Sequence, residues 1–281
     1  MSPAGVITLD DVRLSSPGLR ITSGGGTVWP DGRINIRAAG TSRTYGAFAV
    51  VVTGTATRPQ IQLRAANPGF GIGLRDITAT VRSVAGGYAI SARGQSAYGP
   101  FEADVTILSG RGPMTIEVRR LLFAGMTFTG RVVRTPAGPF VGTLAMSGQG
   151  LQGTIQLAAA GRYQRADISA TANGATIPGE NPILIQRGII QASVILYPDA
   201  PHVVGDAQLA GVRANNFFLA RARAKVDYRG GNGLAQIFAE GTSGMPFRVA
   251  VNAALSPNLI RAAAQGQVRD IPFRLARPAQ I

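Results

Sequence analysis

Tyr98-Gly99-Pro100-Phe101-Glu102-Ala103-Asp104-Val105-Thr106-Ile107 reads as a turn followed by a strand. Phe101, Ala103, Val105 and Ile107 fall on one side and Glu102, Asp104 and Thr106 on the other, the two-residue period of a half-buried strand. Four more stretches have this form: Tyr45-Gly46-Ala47-Phe48-Ala49-Val50-Val51-Val52, Ala137-Gly138-Pro139-Phe140-Val141-Gly142-Thr143-Leu144, Gly244-Met245-Pro246-Phe247-Arg248-Val249-Ala250-Val251 and Asp270-Ile271-Pro272-Phe273-Arg274-Leu275. Their phenylalanines, at 48, 101, 140, 247 and 273, are 53, 39, 107 and 26 residues apart, close to multiples of about 13. One strand with its turn is therefore about 13 residues, and the chain holds roughly twenty such units. In such an array each unit lays its apolar face against its neighbours, so extension along one axis is expected. The expectation is an all-β, elongated, largely antiparallel sheet of repeated strand units, with residues 1–281 as one segment of a longer protein and no separate catalytic domain.

Composition agrees with strands and turns. Glycine supplies 37 of 281 residues, well above the usual ~7%, without a collagen period. Charged residues are only 15%, so much of the polar face is Thr, Ser, Gln and Asn. The net charge is +14, and Lys225 is the only lysine. Nearly all of this positive charge is guanidinium, scattered one or two per strand. Such a surface suits anionic headgroups or plain solvation, and no base-reading motif points to nucleic acid. Cysteine is absent, which removes disulfides and thiolate metal sites. The first residues have no signal-peptide pattern, and no run approaches the ~18 apolar residues of a membrane-spanning helix.

Several strands are legible singly. Arg33-Ile34-Asn35-Ile36-Arg37-Ala38 alternates after a Pro30-Asp31-Gly32 turn, and Asp76–Arg82 with Gly87–Arg93 reads as a hairpin around Ala85-Gly86. Phe218 to Tyr228 alternates longest, with even positions apolar or small. From Ile183 to Tyr197 alternation fails around Gly188-Ile189-Ile190, which predicts a bulge or a strand buried on both faces. Ser256-Pro257-Asn258 could open a helix, but a turn into another strand is expected because a unit boundary falls there.

Chemistry is scarce. Gly148-Gln149-Gly150-Leu151-Gln152-Gly153 matches a dinucleotide-binding fingerprint, yet it opens the alternating run Thr154-Ile155-Gln156-Leu157; the fingerprint functions only at a helix N-terminus. Gly69-Phe70-Gly71-Ile72-Gly73 reads as a loop or kinked strand. His202, the only histidine, sits in the proline-bracketed loop Tyr197–His202 with no nucleophile motif nearby. Asp10 and Asp11 are adjacent, which in a strand points them to opposite faces. No catalytic residue, cofactor or metal is expected.

Gly138-Pro139-Phe140, Gly148–Thr154, Ile185-Gln186-Arg187-Gly188, Leu196-Tyr197-Pro198-Asp199-Ala200-Pro201, Gly205–Gly211 and Gly244-Met245-Pro246-Phe247-Arg248 together resemble the repeat region of TamB-like proteins of the AsmA-like group, particularly those of alphaproteobacteria. The resemblance covers most of the chain. It implies a curled sheet forming a U-shaped hydrophobic groove, a periplasmic location, and a full-length protein anchored in the inner membrane by an N-terminal helix not found in this sequence. It further implies carriage of phospholipid towards the outer membrane and an Omp85-type outer-membrane partner, TamA, met through regions outside this chain. The expected groove lining is Phe101, Ala103, Val105, Ile107, Ile116, Val118, Phe128, Leu144, Met146, Ile155, Leu157, Phe218, Val226, Phe247, Val249 and Val251. Two alternatives remain open: a scaffold for unfolded outer-membrane β-strands that uses sheet edges, and an extracellular β-solenoid adhesin with a packed interior.

Overall fold

The computed structural model describes residues 5–43, 46–67, 73–97, 99–110, 112–177 and 182–280. Tyr45, Tyr98 and most of the Gly69–Gly73 loop lie outside the described residues. The chain is all-β, as the alternation requires, and divides into two units, Met1–Arg131 and Val132–Ile281.

The first unit contains β1 (Ile7–Leu9), β2 (Leu14–Ser16), β3 (Leu19–Val28), β4 (Arg33–Ser42), β5 (Gly46–Thr55), β6 (Arg58–Ala65), β7 (Arg75–Val84), β8 (Gly87–Ser96), β9 (Gly99–Leu108) and β10 (Thr115–Phe123); β11 (Met126–Arg134) crosses the unit boundary. From β3 to β10 each strand pairs antiparallel with the next. Register then fixes the faces, because directly opposed residues point the same way. One cross-strand row runs Ile36, Val52, Ile61, Val81, Ile90, Val105, Val118 through seven successive strands. Every member is β-branched and apolar, and the intervening positions of those strands carry most of the Arg, Gln, Thr and Ser.

The second unit contains β12 (Phe140–Gly148), β13 (Leu151–Ala160), β14 (Tyr163–Ile177), β15 (Ile183–Ile195), β16 (His202–Ala214), β17 (Phe217–Arg229), β18 (Asn232–Ser243), β19 (Met245–Ser256), β20 (Leu259–Val268), β21 (Ile271–Arg274) and β22 (Ala279–Gln280). It too is an antiparallel meander from β12 to β20. Its apolar row is Leu144, Ile155, Ile168, Ala192, Gly205, Val226, Ala235, Ala253, Ala262. The neighbouring row on the other face is Thr154, Ser169, Gln191, Asp206, Lys225, Gln236, Asn252. Repeat length is not constant: β14 has 15 residues and β15 to β17 have 13 each, against 9 or 10 in β12 and β13.

The glycine fingerprint is a hairpin. Gln149 and Gly150, both at positive φ (52° and 78°), join β12 to β13, the backbone of a two-residue hairpin turn. Pro257 and Asn258 likewise turn β19 into β20, with the Ser256 hydroxyl donating to the Leu259 carbonyl at 2.7 Å. Gly32 N–H closes its turn on the Trp29 carbonyl at 2.9 Å.

The long strands of the second unit hold a crease. Gly174 and Gly211 adopt positive φ (61° and 65°), and the β17–β18 register slips between Leu219 and Arg221. At these points the two-residue alternation skips. Ala172 and Ala175, three apart, therefore join the same buried cluster, together with Ile185 and Val212. In β15 the break in alternation falls at Gln186 and Arg187, both exposed, and the strand is neither buried on both faces nor shifted in register against β14 or β16.

Candidate functional site

Within each unit the strands contact chiefly their sheet neighbours among the described residues. Buried clusters form only among sheet neighbours: Ala65, Leu74 and Ile77 with Phe101 in the first unit, and the crease cluster in the second. No large side chain is fully buried among the described residues. The accessible surface is 17720 Å², whereas a compact protein of 29.1 kDa exposes about 11,400 Å². That excess is what single-layer sheets leave uncovered.

Most of the lining expected from sequence shares these faces. Phe101, Ala103, Val105 and Ile107 stand opposite Gly94, Ala92, Ile90 and Tyr88, and Ile116 and Val118 oppose Ile107 and Val105. In the second unit Leu144 and Met146 oppose Ile155 and Gly153, Leu157 opposes Ala166, and Val226 opposes Ala235. Val249 and Val251 oppose Ala239 and Ile237 on that same face, and Phe247 opposes Gly241. Phe128 lies half-buried in β11. Phe218 departs from the set. The slip at Ala220 turns it away from Ala222 and Ala224, so Leu219 packs on the crease cluster instead. Phe218 pairs with Arg213, whose guanidinium lies 5.6 Å from the ring centre, and so stands on the polar face.

The glycine partners explain why phenylalanine begins these strands. Phe48 opposes Gly40, Phe101 opposes Gly94, Phe247 opposes Gly241 and Phe273 opposes Gly266. A large ring beside a missing side chain can cover bare backbone; the Phe273 ring does so at Gly266, 3.0 Å from where a Cβ would stand, whereas at Gly94 the Ile77 side chain takes that space.

The opposite face is ionic. Arg119 and Arg120 pair with Asp104 and Glu102 at 3.1 and 3.3 Å, and Glu240 takes Arg221 and Arg248 at 3.0 and 3.6 Å. Asp206 accepts from Arg223 at 3.1 Å with Lys225 at 3.7 Å. The Arg223 hydrogen bond, then that from Gln208 and the two nearby cations, hold the Asp206 carboxyl below the usual carboxylate range. Asp31 is lowered in the same direction by the backbone and side-chain donors of Arg33.

Two troughs open on this face in the second unit. One, of about 730 Å³, is lined by Gln156, Asp167, Gln191, Asp206, Lys225 and Asp227 together with the exposed Val204 and Leu234. The other, of about 710 Å³, is lined by Arg187, Arg221, Arg223, Asn173, Ile189 and Phe238 among others. Neither is visible in the alternation, because each depends on which strands are neighbours. His202 is in a ring contact with Tyr197 at 4.3 Å, and Tyr197 with Tyr163 at 4.7 Å. No group of three or more His, Asp or Glu that could hold a metal ion occurs among the described residues, and no helix there is long and apolar enough to cross a membrane. No known protein family, curated protein or solved structure matches the chain.

Proposed function

We propose that the chain is a stretch of a bridge-like lipid-transfer protein of the TamB-like kind. In this reading phospholipid acyl chains lie along the apolar face of the sheet while headgroups remain in water. The protein is non-enzymatic and works in the periplasm, with the inner-membrane anchor and the Omp85-type contact supplied by regions beyond these residues. The observation that supports the reading is the apolar row itself. It persists through seven strands of the first unit and nine of the second, and the buried clusters among the described residues gather within the sheet; exposed apolar area beyond a few hundred Å² on a protein usually marks a binding surface.

Lipid extraction of the purified chain followed by mass spectrometry tests this. Phospholipid is expected to co-purify, and Val105→Asp or Leu157→Arg is expected to remove most of it while the circular dichroism spectrum stays that of the parent. Absence of lipid from the parent protein with a native β spectrum contradicts the proposal. A scaffold for unfolded barrel strands would instead need an open edge on a long strand. The outer sides of β3 and β20 are taken by the short strands β1 and β2 and by β21 and β22, the usual protection against strand addition. That arrangement favours the lipid reading.

A further inference from the structure

The polar face of the second unit carries a cradle that acyl-chain transport does not use. Register places Asn173, Arg187, Ala210 and Arg221 in one cross-strand row over β14 to β17. Ile189, Gln208, Arg223 and Phe238 form the adjacent row over β15 to β18. Arg187 and Arg221 are two strands apart, about 10 Å at ordinary strand spacing, with only the Ala210 methyl between them. The 710 Å³ trough opens at this gap, and none of the residues lining it is acidic.

The donors there are only partly used. Arg221 meets Glu240 through Nε at 3.0 Å, and Arg223 meets Asp206 through Nη2 at 3.1 Å. Each guanidinium has five N–H donors, so both keep several. Arg187 forms no ion pair among the described residues. Beside these cations stand two apolar side chains that a merely solvated face does not need: Ile189 is 54% exposed and Phe238 39%. The neighbouring 730 Å³ trough is different, since Asp167, Asp206 and Asp227 line it and would repel an anion.

We propose that this cradle binds a phosphate group carried on an apolar body. The phosphate sits over Ala210 between the forks of Arg187 and Arg221, which match its geometry with paired N–H donors. Asn173 and Gln208 supply amide donors at its margin, and the apolar body lies along Ile189 and Phe238. The site is on the face opposite Leu157 and Val226, so it is independent of the acyl-chain surface.

Titration of the full chain with dodecyl phosphate tests it, using dodecyl maltoside as the neutral amphiphile and inorganic phosphate as the free anion. Dodecyl phosphate is expected to bind in a salt-sensitive manner, and the double variant Arg187→Gln/Arg221→Gln is expected to weaken it at least about ten-fold with dodecyl maltoside uptake unchanged. Leu157→Arg leaves the arginine-dependent binding in place, so loss of the acyl-chain surface and loss of the cradle are separate results. Inorganic phosphate is expected to compete at least about ten-fold more weakly, for want of the apolar contact. Unchanged dodecyl phosphate affinity in the double variant overturns the proposal, and so does equal competition by inorganic phosphate, which would make the cradle a site for the free ion.

Discussion

Asp206 shows how a single side chain on the ionic face acts. Its carboxylate is held by Arg223, Gln208 and Lys225, and its pKa is lowered. A carboxyl whose folded pKa is depressed contributes stability above its unfolded pKa, and loses it as pH falls through the folded value. Asp206→Asn is therefore expected to lower the melting temperature near pH 7, with the gap to the parent protein closing as both are taken towards about pH 2, below the carboxylate range. Thermal melts across that window check this; a gap that persists in acid would mean that the charge is not what Asp206 contributes. The phenylalanines at 48, 101, 247 and 273 carry the opposite lesson. Their spacing and parity are plain in the sequence, but the glycine each one opposes lies on another strand and becomes visible only when register is known.

At the scale of the strand, alternation from Phe218 to Tyr228 is enough to assign β17 and to separate Arg221, Arg223 and Lys225 from Ala222, Ala224 and Val226. It is not enough to place Phe218, because one extra residue at Ala220 reverses the parity before it. Nothing local in Ala-Arg-Ala announces that residue. Its cause is the row of skips across β14 to β17, of which Gly211 is the most constrained. Its φ of 65° is left-handed, and a Cβ there would run into the Gln186 side chain. Gly211→Ala is expected to cost about 1–2 kcal/mol, read as a lowered urea midpoint, whereas alanine for glycine at a compatible site stabilises. An unchanged midpoint would show that the crease is not held by this backbone conformation. The longer strands that the skips produce are also why a period of about 13 residues fits some segments and falls short at β14 to β17.

For the whole molecule, the accessible surface exceeds that of a compact protein of equal mass by about half, and its two units are each a meander with one apolar and one ionic face. The all-β class and the identity of the apolar face follow from composition and parity. The arginine cradle does not, since Arg187, Ala210 and Arg221 are far apart in sequence and meet through two registers. The central claim is that the acyl chains in transit run along the apolar face at β13, away from the arginine cradle of β14 to β18, and adjacent positions of β13 separate the two faces, because Leu157 points to the apolar face and Gln156 to the polar one. The direct measurement is photo-cross-linking with a reactive amino acid placed at 157 or at 156 in cells, followed by mass spectrometry of the adduct. Phospholipid captured at 157 and not at 156 is the expected result; equal capture at both positions, or nascent barrel polypeptide in place of lipid at 157, would contradict it.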